Sequence, residues 1–84
     1  MPEQTVGKVS KYFGKVGVAA VDMEGTLKVG DTVHFHGATT DFTQVVESMQ
    51  EEHQSITEAK PGMAIGIKVK ERVRPGDKVL VVSD

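Results

Sequence analysis

Apolar side chains recur along this chain mostly at alternate positions, in short runs broken by glycine, and a period of two is the mark of half-buried β-strands. The clearest case is Gly25-Thr26-Leu27-Lys28-Val29-Gly30-Asp31-Thr32-Val33-His34-Phe35-His36-Gly37, where Leu27 and Val29, then Val33 and Phe35, alternate with polar residues between three glycines. Two extended pieces joined by a sharp turn are expected there. A reduced copy, Val73-Arg74-Pro75-Gly76-Asp77-Lys78-Val79, repeats the order apolar residue, cation, spacer, Gly-Asp, polar residue and Val. Both Gly-Asp pairs are expected to be tight turns feeding core strands, because glycine accepts φ > 0 and aspartate can bond its own local backbone.

The same reading predicts strands over residues 6–12, 14–21, 63–69 and 78–82, the second rich in valine and small residues and so largely buried. Turns are predicted at 22–25, 37–41, 59–62 and 73–77. Residues 41–54 are ambiguous. Phe42, Val45, Val46 and Met49 fall at i, i+3, i+4 and i+7 behind the capping residue type Asp41, with Gln44 three residues on, so periodicity favours a helix. A strand would put Thr43, Val45, Glu47 and Met49 on one face and Phe42, Gln44 and Val46 on the other. Phe35 and Phe42 are expected in the core, with Met23, Met49 and Met63 filling gaps. Short strands between glycine turns predict an all-β fold, a single closed antiparallel barrel of roughly six or seven strands over residues 1–84, whose closure would remove exposed sheet edges.

Composition narrows the chemistry. A chain of 84 residues makes one domain and buries about 60% of the surface its unfolded form exposes, so its core must be compact. No cysteine is present, which excludes a disulfide framework, a thiolate zinc site and a cysteine nucleophile. Met1-Pro2-Glu3-Gln4-Thr5 carries an acid where a secretory signal carries cations, and the longest apolar run, 16–21, is far below the roughly 20 residues that span a bilayer. A cytoplasmic protein with no membrane partner is the expectation.

Ten Lys and Arg against twelve Asp and Glu give a net charge of −2, which argues against nucleic-acid binding driven by global charge. The distribution is uneven. Asp41, Glu47, Glu51, Glu52 and Glu58 lie in a stretch without Lys or Arg, whereas Lys60, Lys68, Lys70, Arg72, Arg74 and Lys78 face only Glu71 and Asp77. Lys68, Lys70, Arg72 and Arg74 stand two residues apart, which on a continuous strand puts them on one face about 7 Å apart. Such a row could track a phosphate backbone, with Tyr12 and Phe13 as a stacking platform. A solvated outer face that bends before Pro75 explains the same spacing.

His34 and His36 share a strand face, and two imidazoles at i, i+2 can chelate zinc or copper; a native site normally needs three or four protein ligands, so an exposed pair and no metal are expected. Glu51-Glu52-His53 and the serines come with no nucleophile motif, carboxylate pair or Gly-x-Ser-x-Gly elbow, so a polar loop, no catalytic residue and no cofactor are expected.

Four motifs in order, Gly25 to Asp31, Val46-Glu47-Ser48-Met49, Ala59 to Ile67 and Arg74 to Val79, resemble the second, β-barrel domain of translational GTPases such as elongation factor Tu. The resemblance covers nearly the whole chain and implies strand, not helix, for residues 42–49. The same signposts are similar to the small C-terminal barrel of collagenase-like peptidase-family proteins, some of which modify RNA. In both families the barrel accompanies a larger catalytic domain. Gly7-Lys8-Val9 and Gly14-Lys15-Val16 lack the upstream glycine and the hydroxyl of a phosphate-binding loop, so GTP chemistry is excluded. The positions that help elongation factor Tu hold the aminoacyl end of tRNA, a glutamate before the methionine and an arginine after it, correspond here to Ser48 and Glu51, which removes the cation.

The resemblance implies a non-enzymatic, translation-factor-like module that contacts RNA or a ribosome-associated complex, and the spacing of the basic row makes Lys68, Lys70, Arg72, Arg74 and Tyr12 the candidate contact residues. The alternative is a protein-interaction barrel that docks onto a separately encoded catalytic subunit.

Overall fold

The computed structural model describes residues 3–52 and 54–82. Its strands are β1 (Glu3–Phe13), β2 (Val18–Met23), β3 (Leu27–Lys28), β4 (Thr32–His36), β5 (Asp41–Val45), β6 (Met49–Glu51), β7 (Gln54–Ile56), β8 (Glu58–Ala59), β9 (Ala64–Lys68) and β10 (Lys78–Val82). Eight of them form one antiparallel sheet in the order β5-β4-β10-β1-β2-β9-β6-β7, and β3 pairs with β8 as a small second sheet.

Alternation decides which side chains meet. In β4, Val33 and Phe35 are fully buried while His36 on the opposite face is exposed. Their neighbours across the ladder are apolar as well: Phe35 lies opposite Val79, Val9 opposite Val21, Val21 opposite Ile65, and Ile67 opposite both Ala19 and Met49. Leu27 and Ala59 from the small sheet and Val46, Val69 and Val73 from the connections complete one continuous core. Phe42 is half-buried and stacks on Phe35 at 5.1 Å between ring centroids, and Met23, Met49 and Met63 pack in or against the core as expected. Val29 departs from its expected place. The strand ends at Lys28, and Val29 is 40% exposed.

The two Gly-Asp repeats are the same turn built twice. Asp31 Oδ2 accepts the Lys28 N–H at 2.9 Å while the Asp31 N–H donates to the Lys28 carbonyl at 3.0 Å. Asp77 Oδ2 accepts the Arg74 N–H at 2.8 Å, and the Asp77 N–H donates to the Arg74 carbonyl at 3.1 Å. Gly30 and Gly76 sit between at φ of 99° and 96°, the positive φ that a type II turn requires at its third residue. The turn at Lys60-Pro61-Gly62-Met63 has the same closing bond, with the Met63 sulfur accepting the Lys60 N–H at 3.1 Å in place of a carboxylate. The second copy is the buried one. Asp77 is 5% exposed and its carboxylate lies against Gly37, where an added Cβ would overlap it.

The sheet is not a closed barrel of six or seven strands; it is open and folded on itself as an antiparallel sandwich. The outermost strands, β5 and β7, do not pair with each other. The cause lies in the ambiguous segment. The expected strand over 42–49 breaks after Val45, and Val46 turns a corner by exchanging backbone bonds with Asp31 and Gly30 before β6 begins. That corner shifts the phase of alternation, so buried Val46 and Met49 fall three apart and imitate a helical spacing, while Val45 is 52% exposed. Gln44 of β5 meets the end of β9 only through its side chain: Gln44 Nε2 donates to the Lys68 carbonyl at 2.8 Å, and the Lys70 N–H donates to Gln44 Oε1 at 2.9 Å.

Asp77→Ala is expected to cost about 1–3 kcal/mol by orphaning a poorly solvated N–H, and Asp31→Ala at the more exposed copy less, about 0.5–1.5 kcal/mol. Paired thermal melts should rank the two variants in that order. Gln44→Ala should leave the core intact yet expose the Lys70 amide, so hydrogen exchange at Lys70 is expected to speed up well beyond that of β2 amides, whereas Gln44→Glu, which keeps the acceptor, should protect it partly.

Candidate functional site

Two surface features stand out. The first is a groove of about 740 Å³ on the outer face of β2, β9 and β6. Its origin is the absence of bulk: Ala20 lies opposite Gly66, Gly66 opposite Gln50, and Asp22 opposite Ala64, so the middle of this face carries hydrogen or methyl where neighbours carry longer side chains. An added Cβ on Gly66 would come to 3.0 Å from Val18 Cγ1. Phe13, Val16 and Val18 wall one side, with Phe13 43% and Val16 64% exposed. Lys11 Nζ sits 5.3 Å from the Phe13 ring centroid, a cation–π contact at the rim. Ser48, Gln50 and Glu52 form the opposite, polar rim, and Glu52 is held at φ 51° in the turn after β6.

The second feature is the basic segment. β9 ends at Lys68, so Lys70, Arg72 and Arg74 do not continue it as a strand face. The chain leaves the sheet there, held by the Val69 N–H bond to the Gly17 carbonyl at 2.9 Å and by Gln44. Val69 and Val73 are buried, and Lys68, Lys70, Glu71, Arg72 and Arg74 are exposed. Among the described residues no carboxylate forms an ion pair with these four cations. Lys68 and Lys70 also border a depression of about 290 Å³ with Gln44, Val45 and Glu47. Tyr12 is half-buried against the core, so the exposed ring of the Tyr12-Phe13 pair is Phe13.

Ser48 and Glu51, matched to the tRNA-end positions of elongation factor Tu, flank the groove differently: Ser48 lines its rim, while Glu51 is half-buried at the end of β6. His53 lies outside the described residues. His34 and His36 emerge on the outer face of β4 with ring centroids 5.6 Å apart, and among the described residues no group of three or more His, Cys, Asp or Glu is placed to hold a metal. His34 is more engaged than an exposed pair would be. Its Nδ1 lies 2.9 Å from Glu3 Oε2 and its Nε2 2.5 Å from Asp41 Oδ1. The Asp41 hydrogen bond is the main influence raising its pKa above 6.5, and Glu3 adds to it against the opposing effect of burial. No helix long and apolar enough to cross a membrane is present among the described residues.

Sequence reasoning missed the groove and the His34 contacts. The run of small outward residues, Ala20, Ala64 and Gly66, was the available signal for the groove, but only strand register reveals that they share a face.

An uncharacterized protease of Methanocaldococcus jannaschii is 38% identical over 80 residues, which is 94% of this chain and 20% of that protein. A collagenase of Porphyromonas gingivalis is 45% identical over 76 residues, 88% of this chain and 21% of the relative. The chain thus spans about a fifth of the length of the curated relatives it matches. Among solved structures, the C-terminal domain of a protein described as a U32 peptidase from Geobacillus thermoleovorans superposes with a TM-score of 0.89 at 28% identity, covering 95% of this chain and 93% of that one. Both resemblances read from the motifs are therefore met, the peptidase-family one over a domain that sits at the C-terminus of its protein. The family model described as Elongation factor G domain 2 matches residues 3–82, and the chain belongs to that family.

Proposed function

We propose that this β domain is a non-catalytic docking module whose groove receives an apolar segment of the larger, catalytic part of a peptidase-family protein. The groove carries the proposal. It has a volume of about 740 Å³, and Phe13 and Val16 stand exposed along its wall. The choice of occupant is supported by the relatives, about four fifths of whose length lies outside the matched region. The acidic rim at Glu52 and the Ser48 and Glu51 substitutions speak against a nucleic-acid end in the same groove. A cytoplasmic setting goes with this reading, on the strength of the cysteine-free composition.

A second reading rests on Lys68, Lys70, Arg72 and Arg74, exposed and free of ion pairs among the described residues: contact with RNA through the basic segment, in the manner of a translation-factor module.

Titration of the isotope-labelled chain with the larger part of a U32 peptidase-family protein from the same genome is expected to shift amides at Phe13, Val16, Ala20 and Gly66. Val16→Ser together with Phe13→Ser should weaken binding at least tenfold, about 1.4 kcal/mol. Saturation without any shift in the groove would overturn the docking reading. Parallel titration with bulk tRNA decides the second one: shifts at Lys70, Arg72 and Arg74 that fade as salt rises support it, and unchanged spectra at low salt remove it.

A further inference from the structure

We propose that His34 is a pH-sensitive clasp which, as an imidazolium, ties the start of β1 and the edge strand β5 to β4, and lets them go when it loses its proton to solvent. The geometry requires the charged form. Glu3 approaches one ring nitrogen and Asp41 the other, and ionised carboxylates only accept hydrogen bonds. A neutral imidazole has one N–H, so it can serve one carboxylate and must turn a lone pair toward the second. Only the imidazolium donates to both.

The clasp crosses strands that are not neighbours. His34 lies opposite Leu80 on β10, and Leu80 opposite Thr5 on β1, so Glu3 reaches His34 across the outer face of β10. On the other side His34 lies opposite Thr43 of β5, with Asp41 two residues along the same strand. Among the described residues the titratable and charged groups on this face are Glu3 and Lys8 from β1, Asp41 from β5, His36 from β4, which lies opposite Asp41, and Lys78 from β10, which lies opposite both His36 and Lys8. Two carboxylates thus meet one imidazole, with His36 beside it and the lysines at the far end of the patch.

The sign of the dependence follows. His34 gains proton affinity on folding, so its contribution is fully present below its unfolded value near 6.5 and is lost as pH rises through the raised folded value. The partners differ in exposure, 17% for the His34 side chain, 35% for Glu3 and 75% for Asp41, so added salt weakens the Asp41 contact first. β5 is the element most affected because it is an edge, laddered on one side to β4 alone.

Ring-nitrogen NMR across pH 4 to 9, read beside amide hydrogen exchange, tests the device. The expected result is a His34 midpoint above about 6.5 that falls in Glu3→Gln and again in Glu3→Gln, Asp41→Asn. Protection of the residue 41–45 amides should drop at least about threefold relative to β2 amides as pH passes that midpoint, and the drop should vanish in the double variant. A wild-type midpoint at or below the ordinary value would overturn the proposal. So would β5 protection that tracks β2 throughout, and both readouts on the wild-type chain suffice should the double variant fail to fold.

Discussion

Asp77 is the residue on which three parts of this small fold depend, through its carboxylate and its backbone carbonyl. It closes the turn into β10 by accepting the Arg74 N–H, and the same residue's carbonyl accepts the Val9 N–H while Gly76 donates back to Val9. Its buried side chain packs against Gly37 at the β4–β5 hairpin, which accepts only a residue without a Cβ there. The side chain thus joins the turn to the edge hairpin, and the backbone of the same turn bonds the central strand β1. Burial makes this contact matter more than the equivalent one at Asp31, because an N–H with little access to water has no substitute partner.

Opening of the sheet and formation of the groove share a cause in where bulk is placed. The chain turns a corner at Val46 after β5, and the Gln44 side-chain amide bonds the backbone of Lys68 and Lys70 as one rung of a ladder would. Elsewhere on the outer surface, small residues at Ala20, Ala64 and Gly66 leave a trough where β2, β9 and β6 are well paired. The domain matches about a fifth of the length of much longer relatives and carries this trough on its sheet.

The opposite outer face, over β1, β10, β4 and β5, is polar and organised around charge. The groove and the His34 cluster thus lie on separate parts of the surface of one core. Their common element is β1, whose bulges at Thr5/Gly7 and Val9/Lys11 let one long strand pair with β10 on one side and β2 on the other.

By itself the sequence determined whatever depends on local backbone chemistry and period. The alternation of Val33 and Phe35, the strand over 78–82, and both Gly-Asp turns with their aspartate-to-backbone bonds were legible because each is settled within four or five residues. The family was legible for the same reason, since its motifs are those turns. Only the tertiary structure decided how the strands meet. The phase slip between Val46 and Met49 reads as a helix until a corner explains it, and closure against an open sandwich turns on whether β5 finds a ladder or only the Gln44 amide. Lys68 to Arg74 share a spacing but not a strand, because Val69 and Gln44 bend the backbone away at the end of β9. The groove and the His34 clasp join residues up to tens of positions apart, Glu3 with His34 and Ala20 with Gly66. Such contacts depend on register across several strands, and register is set by packing against the core, not by any one segment.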